Sequence, residues 1–249
     1  PVKAEPSDRS EMVTQLLFGE YYTVLETARE NSWLRIKVEW DQYEGWIDRK
    51  QHTYISEEYF QHLCHTEFKI STDVTSDILY KKQRLHIVIG SILPISSNEL
   101  FEISGQFAFT GESKNMGEKQ GFEYLKQTAL KYLNTPYLWG GRSPFGIDCS
   151  GLTQQLFRIC GYRLKRDAKE QFLQGIPVEH LADALPGDLG FFKNNQDQIV
   201  HVGVLLEDQD FIHASGCVRK DKLDNKGIFN EELAGYTHQL AGIRRILKT

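Results

Sequence analysis

A cysteine in the second half of the chain stands where nucleophilic chemistry is possible. Cys149 follows Asp148, a favourable N-cap residue, and precedes an apolar pattern with the period of a helix. The unpaired amides and the dipole at a helix start favour a thiolate, the form that attacks a carbonyl carbon. The same amides can hold the resulting oxyanion. The sequence therefore predicts a helix that begins at Cys149 and favours its thiolate.

Two histidines are candidates for the base that a thiol nucleophile needs. His201 lies in the apolar run Ile199–Leu206, and His213 lies in Phe211–Ser215 after a short polar segment. These runs predict two strands of a hairpin, in which the imidazoles can lie side by side. We expect His201 to accept the thiol proton and His213 to orient and polarise His201. Each residue alone is more often structural than catalytic, but the combination favours catalysis.

The amino-acid composition argues against some classes of binding partner. The chain has 249 residues, of which 40% are hydrophobic and 25% charged, as in ordinary globular proteins. A net charge of −5 argues against a nucleic-acid partner, which favours a basic face. No apolar run approaches the roughly 18 residues of a membrane helix, so no membrane partner is expected. The oligomeric state cannot be inferred from these features.

Four cysteines are too few for a disulfide-dense scaffold, so free thiols are expected. Free thiols favour a cytoplasmic location; a periplasmic or secreted location after removal of a leader is the alternative, because Pro1 is not preceded by Met. Cys160 lies on the apolar face of the predicted helix, and no role is evident for Cys217.

The cluster from His62 to His65 includes Cys64 and resembles half of a zinc site, but lacks a second ligand pair at metal-site spacing. No metal or cofactor is predicted.

The elements around these residues divide the chain near residue 112. The first half contains short runs of strand character: Tyr21–Glu26, Ser32–Trp40, Glu44–Asp48, Leu85–Leu93 and Phe101–Phe109. Their spacing predicts small barrels rather than a parallel sheet, with a join around Tyr54–Cys64. The polar segment Gly111–Gly121 is interpreted as a linker, and an amphipathic helix is expected from Phe122 to Leu133.

Residues 118–249 resemble the NlpC family of papain-like bacterial cell-wall cysteine peptidases. The resemblance is carried by five segments: Thr135-Pro136-Tyr137-Leu138-Trp139-Gly140-Gly141, Gly146-Ile147-Asp148-Cys149-Ser150-Gly151, Leu185-Pro186-Gly187-Asp188-Leu189, His201-Val202-Gly203 and Ile212-His213-Ala214-Ser215. They occur in the family's order and usual spacing, with 52 residues from Cys149 to His201 and 12 more to His213. The resemblance implies Cys149 as nucleophile, His201 as general base and His213 as the third polar residue, with Tyr137 near the thiol or only a wall aromatic.

The first half resembles bacterial Src-homology-3-like barrels. Residues 1–56 match through Arg9–Glu20 and the closing Tyr43–Ile47, and residues 57–112 resemble a second, diverged barrel with Gly90–Pro94 and Glu99–Phe109 as its strand pair. The expected fold is therefore α+β: two small all-β barrels, 1–56 and 57–112, precede a linker and papain-like peptidase domain, 113–249, in which the cysteine helix packs on an antiparallel sheet.

This arrangement resembles a subgroup that hydrolyses the γ-D-glutamyl–L-diamino acid bond of murein stem peptides with a free N-terminal L-Ala. Asp148 and Ser150 match residues implied to bind the amine end, although the role of Asp148 could be helix capping alone. Arg166 matches the family's Arg-Asp segment and could pair with a substrate carboxylate. Tyr43 and Glu44 of the first barrel are candidates for contacting the amine. The resemblance does not distinguish diaminopimelate from lysine at the third position of the stem peptide.

Two other functions fit part of the pattern. A papain-like acyltransferase also presents a cysteine before a histidine, and would transfer the acyl group to an amine instead of water. A peptidoglycan-binding module with a decayed catalytic domain is the second, but retention of Cys149, His201 and His213 together argues against decay.

Overall fold

Alternating apolar residues build the strands of the first half, as in Trp33–Val38, where Leu34, Ile36 and Val38 are all buried. The computed structural model describes residues 1–80, 83–93 and 107–247. The chain divides into two compact units, Pro1–Glu118 and Lys119–Thr249.

The first unit is built mainly of short antiparallel strands. Its described elements are β1 (Val2–Lys3), β2 (Met12–Thr14), β3 (Tyr22–Ala28), β4 (Trp33–Val38), β5 (Glu44–Asp48), α1 (Glu57–His65), β6 (Lys69–Ser71), β7 (Thr75–Tyr80), β8 (Gln83–Val88), β9 (Ile92–Leu93), β10 (Phe107–Thr110) and β11 (Ser113–Asn115). The first five strands form one sheet in the order β2-β1-β5-β4-β3. Val2, Leu34, Ile36, Val38 and Ile47 form its core.

Two three-stranded sheets follow, β10-β7-β8 and β11-β6-β9, and they correct the predicted strand pair. In the described residues, β9 pairs with β6 and β10 with β7, so Gly90–Pro94 and Glu99–Phe109 are not partners there. Pro94 and residues 99–106 of that prediction lie outside the described ranges. The run predicted as one strand, Leu85–Leu93, is interrupted at Gly90, whose φ of +87° turns the chain between β8 and β9.

Two further segments differ from the prediction. Helix α1 occupies the predicted join, because the Ser56 side chain accepts the N–H of Tyr59 and two glutamates fill the first turn. The predicted linker contains β11, which pairs with β6 of the first unit. Its ladder hydrogen bonds explain why this polar segment is a strand: pairing with a neighbour, rather than its own composition, satisfies the backbone.

The second unit places a helix against a large antiparallel sheet. Its elements are α2 (Phe122–Leu130), β12 (Arg142–Ser143), β13 (Gly146–Ile147), α3 (Cys149–Ile159), α4 (Ala168–Gln171), β14 (Ile176–Val178), β15 (Leu189–Lys193), β16 (Ile199–Leu205), β17 (Asp210–Ser215), β18 (Cys217–Leu223), β19 (Gly227–Asn230) and β20 (Gly235–Arg245). The sheet order is β14-β20-β15-β16-β17-β18-β19, and β20 also pairs with β19. The strands β15 to β20 therefore form a closed sheet.

Helix α3 is buried along its whole length and contacts β16 and β17. Two of its polar residues form hydrogen bonds inside the unit: Thr153 Oγ1 donates to Gln171 Oε1 at 2.7 Å, and Gln155 Nε2 donates to the Arg142 carbonyl at 2.9 Å. These bonds anchor the helix on several sides. Across the described ranges, no helix combines the length and apolar character that a membrane span requires.

Candidate active site

The β16–β17 hairpin brings the two histidines together. Gly203 is the register partner of His213, and His201 lies two residues before Gly203 on β16. His201 Nε2 is 2.8 Å from His213 Nδ1, which is hydrogen-bonding distance. Both side chains are buried, and their rings meet nearly edge to face at 82°. The hairpin thus supplies two coupled imidazoles.

Cys149 is the first residue of α3. Asp148 is its N-cap, and the Asp148 Oδ1 atom accepts the N–H of Gly151 at 2.6 Å. The backbone N–H groups of Val202, beside His201, and of Ser150 act on the thiol as hydrogen-bond donors. The thiol is therefore held between the start of the helix and the strand that carries His201.

Burial overrides the helix start in setting the protonation of the thiol. Desolvation raises the pKa of Cys149 to about 12, and the negative charge of Asp148 adds to the rise. The N–H groups of Val202 and Ser150 and the charge of Arg166 act in the opposite direction and are outweighed. Burial therefore opposes the thiolate that the helix start favours, because the cost of burying the anion exceeds what the helix start provides.

The histidine base is also neutral at rest. Burial lowers the pKa of His201 well below its ordinary value, and nearby His213 and His238 lower it further. A neutral imidazole can accept a proton, whereas an imidazolium cannot. The site therefore rests as a neutral thiol and a neutral base, and the proton moves when the sulfur attacks.

The residues next to the nucleophile form a closed polar network. Arg166 Nη1 and Nη2 donate to Asp148 Oδ1 and Oδ2 at 3.0 and 2.6 Å, and Nη1 also donates to Ser150 Oγ at 2.9 Å. The second Asp148 oxygen accepts the N–H of Gly140 at 2.8 Å, and the Ser150 hydroxyl donates to Oδ1 at 3.3 Å. Both carboxylate oxygens are occupied, so a substrate amine would displace one of these donors. Binding of substrate by Asp148, Ser150 and Arg166 stays a prediction.

Tyr137 lies half-buried near the thiol. Burial raises its pKa, and the neighbouring Cys149 and Asp148 raise it further. Its backbone forms a bridge with Ile147 and donates to the Gly216 carbonyl at 2.9 Å. The phenol is therefore a neutral group close to the nucleophile.

Two predicted substrate contacts belong to the first unit. Tyr43 donates its backbone N–H to Asp41 Oδ1 at 3.0 Å. Glu44 starts β5, is exposed, and accepts a hydrogen bond from Arg35 Nη2 at 2.8 Å. Their proposed contacts with substrate stay predictions.

Two residues of the second unit were missed from the sequence. Asp221 on β18 lies with Oδ2 at 2.9 Å from His213 Nε2. His238 on β20 stacks on His201, with centroids 4.2 Å apart and planes at 24°. Burial lowers the pKa of His238 to about 4, so this third imidazole is neutral at neutral pH. Asp221 lies on the strand that follows His213 in a hairpin, where His213 pairs with Arg219 and Phe211 with Asp221, so the hairpin spacing could have indicated it. His238 has no such local signal, because β20 reaches the site by pairing with the distant β15.

The other cysteines and the potential metal ligands do not indicate a disulfide or a metal site in the described residues. All four cysteines are free, as predicted: Cys64 is exposed, Cys149 and Cys160 are buried, and Cys217 is intermediate. Within the ranges that the structure describes, no group of three or more His, Cys, Asp or Glu residues is placed to hold a metal ion.

Comparison with known proteins matches this site to a family. The NlpC/P60 family model matches residues 134–237, and the model of the bacterial dipeptidyl-peptidase Sh3 domain matches residues 3–51. Dipeptidyl-peptidase 6 of Lysinibacillus sphaericus is 30% identical over 236 residues, covering 85% of this chain and 83% of that protein. The chain belongs to the NlpC/P60 family. This confirms the predicted resemblance and the assignment as a cysteine endopeptidase acting on peptidoglycan-derived peptides.

Relatives match this NlpC/P60 peptidase along most of its length. The γ-D-glutamyl-L-lysine dipeptidyl-peptidase of Bacillus cereus is 29% identical, with 97% of this chain and 77% of that protein covered. A crystal structure of an NlpC/P60 family protein from Bacillus cereus superposes with a TM-score of 0.79 at 26% identity, covering 94% of this chain and 82% of that one. The papain-like domain and the Sh3 domain, mostly sheet with few helices, thus occur together in this NlpC/P60 peptidase.

Proposed function

We propose that this peptidase hydrolyses the γ-D-glutamyl–L-diamino acid amide bond of murein stem peptides that carry a free N-terminal L-Ala. The proposal rests on the 2.8 Å contact between His201 and His213, where His201 is on the same strand as the Val202 N–H that bonds the Cys149 thiol. The chain also aligns over most of its length with a γ-D-glutamyl-L-lysine dipeptidyl-peptidase. Hydrolysis of this bond would serve the recycling or remodelling of cell-wall peptides.

The proposed reaction proceeds through a thioester. As Cys149 Sγ attacks the γ-carbonyl carbon, its proton passes to His201. The oxyanion is held by N–H groups at the start of α3. The C–N bond then breaks, and His201 returns the proton to the leaving amine of the diamino acid. Water attacks the thioester, gives its proton to His201, and releases the γ-D-glutamyl product and the thiol.

We further propose that the amine and acid ends of the peptide are recognised separately. In this proposal Tyr43, Glu44, Asp148 and Ser150 bind the amine end, and Arg166 pairs with a substrate carboxylate. Tyr137 lies near the thiol. In this scheme residues 1–56 and 57–112 are two barrels, the second diverged, and residues 113–249 carry the peptidase. The support is the match of residues 3–51 to a dipeptidyl-peptidase Sh3 domain.

A cytoplasmic location is proposed on the same grounds. A stem peptide with a free L-Ala amine is already detached from the glycan strand, as an intermediate of recycling would be. Four unbonded cysteines are compatible with a reducing compartment. Fractionation of cells that produce the full-length protein tests this: recovery outside the inner membrane would refute it.

Mass spectrometry of L-Ala-γ-D-Glu-diaminopimelate and of its lysine counterpart, incubated with wild type and with Cys149→Ala, tests the function. We expect wild type alone to release L-Ala-γ-D-Glu, with the preferred third residue showing the faster rate. A matched control is Cys160→Ala, which removes a buried thiol from the other end of α3. Transfer of the acyl group to an added amine in place of water would support the acyltransferase, and tight binding without turnover would support the binding module.

A further inference from the structure

Asp221 ends a chain of hydrogen bonds that begins at His201. His213 lies between them, with Nδ1 at 2.8 Å from His201 Nε2 and Nε2 at 2.9 Å from Asp221 Oδ2, and all three side chains are buried. We propose that Asp221 is a positioning residue that sets the tautomers of both histidines, so that His201 keeps Nδ1 unprotonated to receive the proton of Cys149. The inference rests on the thiol chemistry of the family and not on the peptide proposed above.

The surroundings of Asp221 keep its side chain a carboxylate. Asn230 Nδ2 donates to Oδ1 at 3.0 Å, Arg219 Nη2 donates to Oδ1 at 3.3 Å, and Arg219 Nε lies 3.1 Å from Oδ2. Burial alone would raise the pKa of Asp221, but the hydrogen bonds from His213 and Asn230 and the charge of Arg219 leave it below its ordinary value. An ionised carboxylate only accepts hydrogen bonds.

The tautomers follow from this one fixed acceptor. Because Asp221 cannot donate, the proton between it and His213 must lie on His213 Nε2. In neutral His213 the other nitrogen, Nδ1, is then an acceptor. The 2.8 Å contact needs one proton, which must therefore lie on His201 Nε2. Neutral His201 is left with a bare Nδ1, the nitrogen that a general base requires.

The same chain of bonds supports the charged intermediate. When His201 takes the thiol proton, its imidazolium still donates Nε2–H to His213 Nδ1, so no bond breaks during the transfer. The Asp221 carboxylate, one imidazole away, stabilises the new positive charge. This is the task of an orienting acid in a nucleophile–base triad, here placed behind the second histidine.

Asp221→Asn tests the proposal with little change in volume. The new amide meets donors from Asn230 and Arg219 at Oδ1, so its oxygen is favoured there and its NH₂ turns towards His213. His213 then accepts at Nε2 and donates from Nδ1, which forces His201 to carry its proton on Nδ1. We expect kcat for the peptide to fall about 100-fold with KM changed less than about twofold, as expected when a general base is lost.

Two readouts need no substrate and separate this inference from the proposed function. Nitrogen NMR of the histidine side chains should place the proton of His201 on Nε2 in wild type and on Nδ1 in Asp221→Asn. Alkylation by iodoacetamide near neutral pH, followed by peptide mass spectrometry, should slow at Cys149 by about tenfold or more. Exposed Cys64 of the same molecule should react at an unchanged rate and serves as the internal control.

Glu232→Gln is the matched control variant. Glu232 binds the same Arg219 from the other side, at 2.9 Å, and is exposed, so its loss removes a carboxylate from the cluster without touching His213. Glu232→Gln should have the same His201 tautomer, the same rate of Cys149 alkylation and the same kcat as wild type. A wild-type His201 protonated on Nδ1 would overturn the proposal without any variant. So would an Asp221→Asn protein that folds and keeps both the wild-type tautomer and the wild-type ratio of Cys149 to Cys64 alkylation.

Discussion

The guanidinium of Arg166 and the carboxylate of Asp148 form a bidentate pair, Nη1 to Oδ1 at 3.0 Å and Nη2 to Oδ2 at 2.6 Å, immediately before the nucleophile. Both side chains are almost fully buried, at 2% and 9% exposure. The same carboxylate caps α3 through the N–H of Gly151 and binds the N–H of Gly140. The pair therefore fixes where α3 begins, and with it the position of Cys149.

Removal of Arg166 should destabilise the peptidase domain. In Arg166→Ala the Asp148 charge stays buried without its ion partner, and breaking such a pair costs about 3–5 kcal/mol. Urea unfolding measures the loss. Arg163→Ala, a change at an exposed arginine on the same segment, should stay within about 0.5 kcal/mol of wild type. Equal stabilities of the two variants would show that the pair does not hold the helix start.

The resting thiol of Cys149 should be protonated near neutral pH. Burial raises its pKa to about 12 and lowers that of His201, so the proton stays on sulfur until the alkaline range. The ultraviolet absorbance of a thiolate, taken as the difference between wild type and Cys149→Ser, should be absent near neutral pH and grow only in strong alkali. The difference between wild type and Cys64→Ser reports the exposed thiol for comparison. A Cys149-dependent thiolate band near neutral pH contradicts this protonation state.

The sequence revealed the parts of the site that local patterns mark. Asp148 is a favourable N-cap residue, and His201 and His213 lie in apolar runs. The helix that begins at Cys149 and the two histidine strands could therefore be predicted. His238 could not, because β20 reaches the site only through its pairing with β15. Asp221 was missed although β18 follows β17 directly in a hairpin and carries Asp221 on the face of His213. The effect of burial on the Cys149 thiol could not be foreseen from the sequence, because a motif shows the helix start but not the depth of burial. Helix α1 was missed although Ser56 and two glutamates already formed its capping signal.

Gly203 should be essential to the spacing of the histidine hairpin. A Cβ at this position would lie 2.5 Å from Phe211 Cε1 and 2.6 Å from the Ile212 carbonyl oxygen, so Gly203→Ala must push β17 away. We expect a loss of about 1–3 kcal/mol in the free energy of unfolding, together with reduced activity, because His213 is the register partner of Gly203.

Gly235→Ala is the comparison for that change. Its Cβ would meet only the Leu233 carbonyl oxygen, at an ordinary 3.7 Å, so its stability should stay within about 0.5 kcal/mol of wild type. If the two alanine variants unfold at the same denaturant concentration, the close packing around Gly203 is not limiting.

Recognition of the peptide's free amine should depend on Glu44. Acetylation of the L-Ala amine removes its charge, and should lower kcat/KM far more than amidation of the C-terminal carboxylate. In Glu44→Gln the loss of a carboxylate should raise KM for the free-amine peptide by about tenfold and leave the acetylated peptide unaffected, since a hydrogen bond to a charged group contributes about 1.5–3 kcal/mol. Glu26→Gln is the matched control, because Glu26 and Glu44 both bind Arg35, at 3.1 and 2.8 Å. Equal rates for acetylated and free peptides would refute recognition of the amine. Equal KM values for Glu44→Gln and Glu26→Gln would show that Glu44 does not contribute to that recognition.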